Sequence, residues 1–309
     1  MPSLTRGRYV TPLGPRPYLD RGLRYEQAGL TEQAIDAYES AFGASVTPVE
    51  RAEAHIRLAR VQRTLTNWED AIAQAREAVR LADVAGNADV AAEAMNVEVG
   101  VHQLRGDFAA GERLARVALG RAHSPRIRGM LLQNLGVIAA QRHDYRCAER
   151  LFSESVEAFK AARYELGMAI ALNNASAAAR DCGDFDRALE VAILATEVAE
   201  RIDALDIVML ARQNQAHALL EHGSIDRAEV LLGEALGHYA ATGNLLRHAE
   251  CLEIMGRINE WRPGYLDPAV RCYRRAAELA VQVSDRVLAE RLQRRLATLG
   301  DVAPDCAGA

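Results

Sequence analysis

Small residues recur at two positions in each of seven stretches of the chain. The first position holds Ala34, Ala71, Gly111, Ala148, Ala188, Ala228 and Ala269. The second position, seven residues later, holds Ala41, Ala78, Ala118, Ser155, Ala195, Ala235 and Ala276. Seven residues make two helical turns, so both positions face the same way and let a neighbouring helix approach closely. The stretches are 37 to 41 residues apart, which predicts one helical unit repeated along the chain.

A short turn sequence precedes most of these helices. Glycines stand where a preceding helix would end, and glycine adopts the left-handed conformation that closes a helix; they are Gly29, Gly106, Gly183 and Gly223. Residues that can cap the next helix follow, namely Thr31, Asn67, Asp107, Asp144, Asp184 and Ser224. We therefore predict that each unit is a helix, a tight turn and a second helix.

The units resemble tetratricopeptide repeats (TPRs). The first repeat carries the pattern most fully, with Gly22, Tyr25, Gly29, Ala34, Tyr38 and Ala41, and the fourth carries Gly136, Ala148, Phe152 and Ser155. The spacing of about 40 residues is similar to the longer repeats of kinesin light chains, polarity adaptors and bacterial signal-sensing regulators. The resemblance implies an all-α, right-handed α-solenoid of about seven helix–turn–helix repeats, with the first helices on its concave side.

Four segments follow from this interpretation. Residues 1–16 contain three prolines and are predicted to form an extended N-terminal arm. Residues 17–283 form the repeat array. Residues 284–299 form a C-terminal capping helix, and residues 300–309 form a disordered tail. The predicted apolar stripe of the capping helix consists of Val287, Leu288, Leu292, Leu296 and Leu299.

Amide side chains recur with a 40-residue period in the predicted first helices. The pairs are Gln133 with Asn134, Asn173 with Asn174, and Gln213 with Asn214, and Asn96 lies nearby in the third repeat. In the family that the repeats resemble, these positions face the concave groove. An amide both donates and accepts hydrogen bonds, so a row of amides can bind successive peptide groups of an extended partner. In the alternative interpretation, the amides bond neighbouring repeats or water.

Charged residues could add specificity to such a groove. Arg57, Arg60 and Arg63 are spaced to share one face of a first helix, where they would bind acidic side chains or a terminal carboxylate. A solvated helix face is the alternative. Acidic residues at the other end, Glu250, Glu253 and Glu260, would orient a bound peptide. His217 is also expected in the groove, where its protonation would make binding pH-sensitive, unless it is simply exposed.

Composition narrows the classes of function. The net charge of -5 argues against nucleic acid or an anionic membrane as the main partner. No apolar run is long enough to span a membrane, no signal peptide is recognisable, and five scattered cysteines suit a reducing compartment, so we expect a cytoplasmic protein. Enzyme and metal motifs are missing from the sequence. We therefore predict no enzymatic activity, no cofactor and no metal site.

The sequence leaves three functional hypotheses open. The leading hypothesis is a scaffold or adaptor that holds an extended segment of another protein in the groove. The second is a regulatory sensor that binds a small peptide or metabolite and signals through a change in the superhelix. The third is an assembly protein that acts through its convex face or by self-association, which would not depend on the asparagines.

Overall fold

The computed structural model describes residues 14–302, which form fifteen α-helices and no strand. The chain divides after Arg142 into two compact units. Most of the predicted N-terminal arm, residues 1–13, and most of the predicted tail, residues 303–309, lie outside the described part. Among the described helices, none is long and apolar enough to cross a membrane.

The first unit contains seven helices. They are α1 (Arg16–Gln27), α2 (Thr31–Ala44), α3 (Pro48–Thr64), α4 (Trp68–Val84), α5 (Ala88–Leu104), α6 (Phe108–Arg121) and α7 (Pro125–Gln141). Each helix contacts the next one in the chain. The helices α1, α3, α5 and α7 also contact one another in succession. The first helices of consecutive pairs are therefore neighbours, as repeats with an inner row of first helices require.

The second unit contains the other eight helices. They are α8 (Tyr145–Ala161), α9 (Glu165–Asp181), α10 (Phe185–Arg201), α11 (Leu205–Glu221), α12 (Ile225–Thr242), α13 (Leu245–Glu260), α14 (Leu266–Gln282) and α15 (Arg286–Val302). Consecutive helices again contact each other, and α11 also contacts both α9 and α13. The first helices thus form a row in this unit as well.

The turns follow the chemistry predicted from the sequence at most positions. The four predicted glycines have left-handed φ values between 71° and 82°. Asp107, Asp144 and Asp184 each accept a hydrogen bond from the backbone N–H three residues later. The prediction for Thr31 was wrong by one position, because Thr31 is the first residue of α2 and Leu30 precedes it. Asn67 precedes α4 and Ser224 precedes α12, but neither makes a side-chain cap bond within the described residues.

The small residues predicted to allow close helix packing are all buried. Close approach is clearest where a glycine of a first helix faces a tyrosine of the second helix. A Cβ at Gly256 would lie 2.7 Å from the ring of Tyr273. A Cβ at Gly22 would likewise overlap the ring of Tyr38. Glycine at these two places therefore makes room for an aromatic ring in the core.

Helix α15 covers the apolar surface of α14. Leu288, Leu292 and Leu299 are buried against Tyr273 and Leu279, and Leu296 packs at the edge of this cluster. Val287 was wrongly assigned to the stripe, since it is 73% exposed. The helix also runs to Val302, three residues beyond the predicted end.

Candidate functional site

Two of the predicted amides bond each other in the first unit. Asn134 of α7 donates through Nδ2 to Oδ1 of Asn96 in α5, over 2.9 Å. Asn96 is buried, whereas Asn134 and its neighbour Gln133 are half-buried. This hydrogen bond joins the first helices of two successive pairs, as one of the two interpretations of the sequence pattern predicted.

The same arrangement recurs in the second unit. Asn214 of α11 donates through Nδ2 to both Oδ1 and the backbone oxygen of Asn173 in α9, each over 3.4 Å. Asn173 in turn donates to the backbone oxygen of Ile207 over 3.5 Å. Both asparagines are buried. Asn96, Asn134, Asn173 and Asn214 therefore already have protein partners, and they connect first helices rather than offering a free row of amides.

A cavity of about 580 Å³ lies along α9, α11 and α13 of the second unit. We call it the amide cavity, because its lining includes Asn173, Asn174, Gln213, Asn214 and His217. Asn174 is half-buried, and its side chain makes no hydrogen bond to another residue between positions 14 and 302. Gln213 donates to Oε2 of Glu250 over 3.1 Å, while its Oε1 is buried without a partner in the described part of the chain. Two of the predicted amides are thus available for a ligand in this cavity.

His217 is half-buried in the wall of the amide cavity. The pKa of His217 is lowered from 6.5 to about 3. Burial is the largest cause, and the positive charges of Arg180 and Arg257 also contribute to the shift. Its Nε2 lies 3.1 Å from Nη1 of Arg257, which can only donate, so Nε2 accepts and Nδ1 carries the proton. Nδ1 is buried and has no hydrogen-bond partner among residues 14–302. The ring is therefore neutral near pH 7, which corrects both the exposed histidine and the pH-sensitive one expected from the sequence.

Arginines and carboxylates line the amide cavity in matched pairs. Arg247 bonds Glu250 over 2.8 Å, and Arg291 holds Glu253 with two hydrogen bonds of 2.7 and 2.6 Å. Further pairs join Arg180 to Asp181 and Arg257 to Glu221. Glu260, outside this cavity, bonds Arg295 and Tyr273. The sequence predicted that these glutamates make one end of the groove acidic. That prediction is wrong, because an arginine neutralises each of their charges.

Sequence reasoning missed the arginines of this cavity. Two of the pairs join residues 36 and 38 positions apart, in successive first helices. That spacing is close to the repeat length, and it was the signal that could have indicated them.

The predicted arginine triplet lies on α3 of the first unit, and none of the three lines the amide cavity. Arg60 pairs with Glu93 of α5 over 2.6 Å. Arg63 lies against Gly100 of α5, and burial together with the charge of Arg60 lowers its pKa. Arg57 and Arg63 have no carboxylate within 4.0 Å in the described residues. The triplet is thus only partly neutralised.

No group of three potential metal ligands occurs among the histidine, cysteine and acidic side chains of the described chain. The cysteines at positions 147, 182, 251 and 272 form no disulfide with one another.

Comparisons with known proteins bear on the fold. No family model matches the sequence, and no curated protein matches it. Solved structures do match. A Rap protein complexed with competence and sporulation factor has a TM-score of 0.61 and 17% identity, over 92% of this chain and 74% of that one. The apo form of RapI has a TM-score of 0.62 and 15% identity, over 88% and 99% of the two chains.

A third similar structure is a signal transduction ATPase with numerous domains and a tetratricopeptide repeat sensor, from Pyrococcus horikoshii. Its TM-score is 0.67 at 14% identity, and the match covers 90% of this chain but only 44% of that protein. The chain therefore spans less than half the length of this relative. Identities this low show the fold alone: the chain is an all-α solenoid of TPR-like helix pairs.

Proposed function

We propose that this protein binds a short peptide segment of a partner protein in the amide cavity and serves as a scaffold or adaptor. The observation that carries the proposal is the cavity itself, whose lining includes the amides Asn173, Asn174, Gln213 and Asn214 that the sequence pattern predicts for peptide binding. Its volume of about 580 Å³ falls within the range of about 300–1,000 Å³ typical of ligand pockets. A few peptide residues, rather than a long segment, fit that volume.

The polar groups of the cavity suit a peptide backbone. Asn174 offers a donor and an acceptor, and Oε1 of Gln213 offers a second acceptor. Neutral His217 offers a donor at Nδ1. Gln213 and His217 would need a small side-chain rotation to reach a ligand, since both atoms are buried. Satisfying a buried, unpartnered polar atom removes a cost of about 1–3 kcal/mol, which favours a ligand that brings both N–H and C=O groups.

Two similar structures support partner binding as the function. The Rap structure is a complex with competence and sporulation factor, and another TPR-like relative, Cut9, is part of a hetero-tetramer with Hcn1. Arg57 and Arg63 of the first unit are half-buried and have no carboxylate within 4.0 Å in the described residues, so they offer positive charge to an acidic part of the partner. We expect the partner to be a cytoplasmic protein.

The proposal is tested with a displayed library of random peptides selected against the wild-type protein. Selected peptides are then titrated by fluorescence polarisation against the wild type and two variants. Asn174→Arg places a long charged side chain in the cavity and should weaken binding about tenfold or more. Gln33→Arg introduces the same charge on an exposed part of α2 and should leave affinity unchanged. Equal affinity of all three proteins would overturn the assignment of the cavity.

A regulatory sensor is the second candidate. The small volume of the cavity favours it, because a peptide of a few residues or a metabolite would be enclosed more completely than a long segment. The Pyrococcus horikoshii relative is itself described as carrying a TPR sensor. Such a module would act through a partner, and its ligand would alter the shape of the protein.

A further inference from the structure

A second cleft of about 600 Å³ adjoins the amide cavity. We call it the arginine cleft, because Arg257 of α13 and Arg291, Arg294 and Arg295 of α15 line it. Glu253, Arg257 and Arg291 line both spaces, so one ligand could extend from one into the other.

Three of the four arginines are held by carboxylates, namely Arg257, Arg291 and Arg295. Arg291 binds Glu253 through Nε and Nη2, and Arg295 binds Glu260 through the same two nitrogens. A guanidinium has five N–H donors. The carboxylate uses two of them on Arg291 and on Arg295, and Arg295 also interacts with Tyr273, so both guanidinium groups keep unused donors. Because two parallel hydrogen bonds fix each fork, the free donors are already ordered before a ligand arrives.

Arg294 differs from its neighbours. Its Nε donates to the backbone oxygen of Glu290 over 3.3 Å, and no carboxylate lies within 4.0 Å of it in the described part of the chain. The cleft therefore has one positive charge without a partner, together with unused donors on three guanidinium groups. A planar carboxylate is satisfied by one arginine fork, whereas a tetrahedral phosphoryl group can accept hydrogen bonds from several directions.

We propose that the arginine cleft binds a phosphoryl group, with Arg294 supplying the unneutralised charge and Arg291 and Arg295 the ordered donors. The assignment deepens the proposed function. It rests on that function only for the molecule that carries the phosphoryl group. A phosphorylated side chain of the peptide in the amide cavity would reach the cleft across the shared residues. The phosphoryl site itself requires no peptide, so the two ideas can fail separately.

The experiment follows thermal unfolding of the wild type, Arg294→Gln and Arg274→Gln in phosphate, acetate or chloride at equal ionic strength. Arg274 is an exposed arginine of α14 that does not line the cleft, so it is the matched control. We expect phosphate to raise the midpoint of the wild type and of Arg274→Gln, because a ligand that binds only the folded state stabilises it. Arg294→Gln should bind phosphate about tenfold more weakly or worse.

Several outcomes would overturn the assignment. They are the absence of a phosphate-specific shift, an equal shift with acetate, and an equal loss in Arg274→Gln.

Titration with N-acetyl-phosphoserine amide identifies the carrier of the phosphoryl group. Tighter binding than inorganic phosphate supports a phosphorylated side chain, and equal binding supports a phosphoryl site that accepts the free ion. If Asn174→Arg loses peptide binding but keeps the phosphate shift, the phosphoryl site stands independently of the peptide site.

Discussion

At the scale of single residues, His217 shows how burial beside arginines determines protonation. Its folded-state pKa is about 3, against 6.5 for the free side chain. The unfolded state therefore takes up a proton more readily than the folded state. The contribution of neutral His217 to stability is fully present above pH 6.5 and is lost as the pH falls towards 3. We expect the wild type to lose about 2 kcal/mol more than His217→Gln between pH 7 and pH 5.

Urea unfolding at the two pH values measures this difference. Gln at position 217 can still accept from Arg257 but cannot titrate, which makes it the matched variant. An equal pH dependence of both proteins would show that His217 is not buried as described. Ligand binding through a neutral His217 should also be insensitive to pH between 6 and 8.

Glycine has opposite effects on stability at two positions of the second unit. Gly256 faces the ring of Tyr273, so Gly256→Ala should destabilise the protein by about 1–3 kcal/mol through overpacking. Gly233 lies in α12 with nothing within 4 Å of an added Cβ. Gly233→Ala should therefore stabilise by about 0.5–1 kcal/mol, since alanine favours a helix. Denaturant midpoints check both, and the same sign for both would contradict the packing at Gly256.

At the scale of helices, the buried asparagines join one first helix to the next. Asn214→Ala removes the donor that Asn173 accepts from, leaving a buried carbonyl oxygen without that partner. We expect a loss of about 1–3 kcal/mol in the free energy of unfolding. Asn174→Ala, at a position without such a bond, should change stability by less than about 0.5 kcal/mol. Chemical denaturation of both variants tests the two roles, and equal losses would argue against the distinction.

Helix α15 is expected to act as the cap of the second unit. Removing residues 286–309 would expose Tyr273, Leu279 and the rest of the apolar surface that Leu288, Leu292 and Leu299 cover. Terminal repeats need a polar outer face to stay in solution. We expect the truncated protein to aggregate and to have a lower denaturant midpoint. Size-exclusion chromatography tests for aggregation, and chemical denaturation measures the midpoint. A monomer with an unchanged midpoint would mean that α15 is dispensable for the fold.

At the scale of the whole molecule, the helix pairs were predictable because their signals are local. A glycine with positive φ, an aspartate cap and two small residues seven apart each lie within a few residues of the feature they produce. The site was only partly predictable. Asn173 and Asn174 were both placed correctly in a first helix. The register between helices decides which of the two amides bonds the next helix and which faces the cavity.

The pairing of charges depends on the same register. Glu253 looked like a free acid in the sequence, yet α15 brings Arg291 to it from 38 residues away. Repeat spacing can indicate such partners, but the choice among neighbouring arginines depends on side-chain conformations. Residues that bind across repeats are therefore harder to predict than those that make a repeat.

Small-angle X-ray scattering distinguishes the two proposed roles. A scaffold should keep its radius of gyration when a selected peptide binds, because α9, α11 and α13 already form the amide cavity. A sensor should become measurably more compact, since a ligand shifts the conformation only if it binds one state more tightly. We expect no change for the wild type. Asn174→Arg with the same peptide is the control, and compaction that occurs only in the wild type would contradict the scaffold role and favour the sensor.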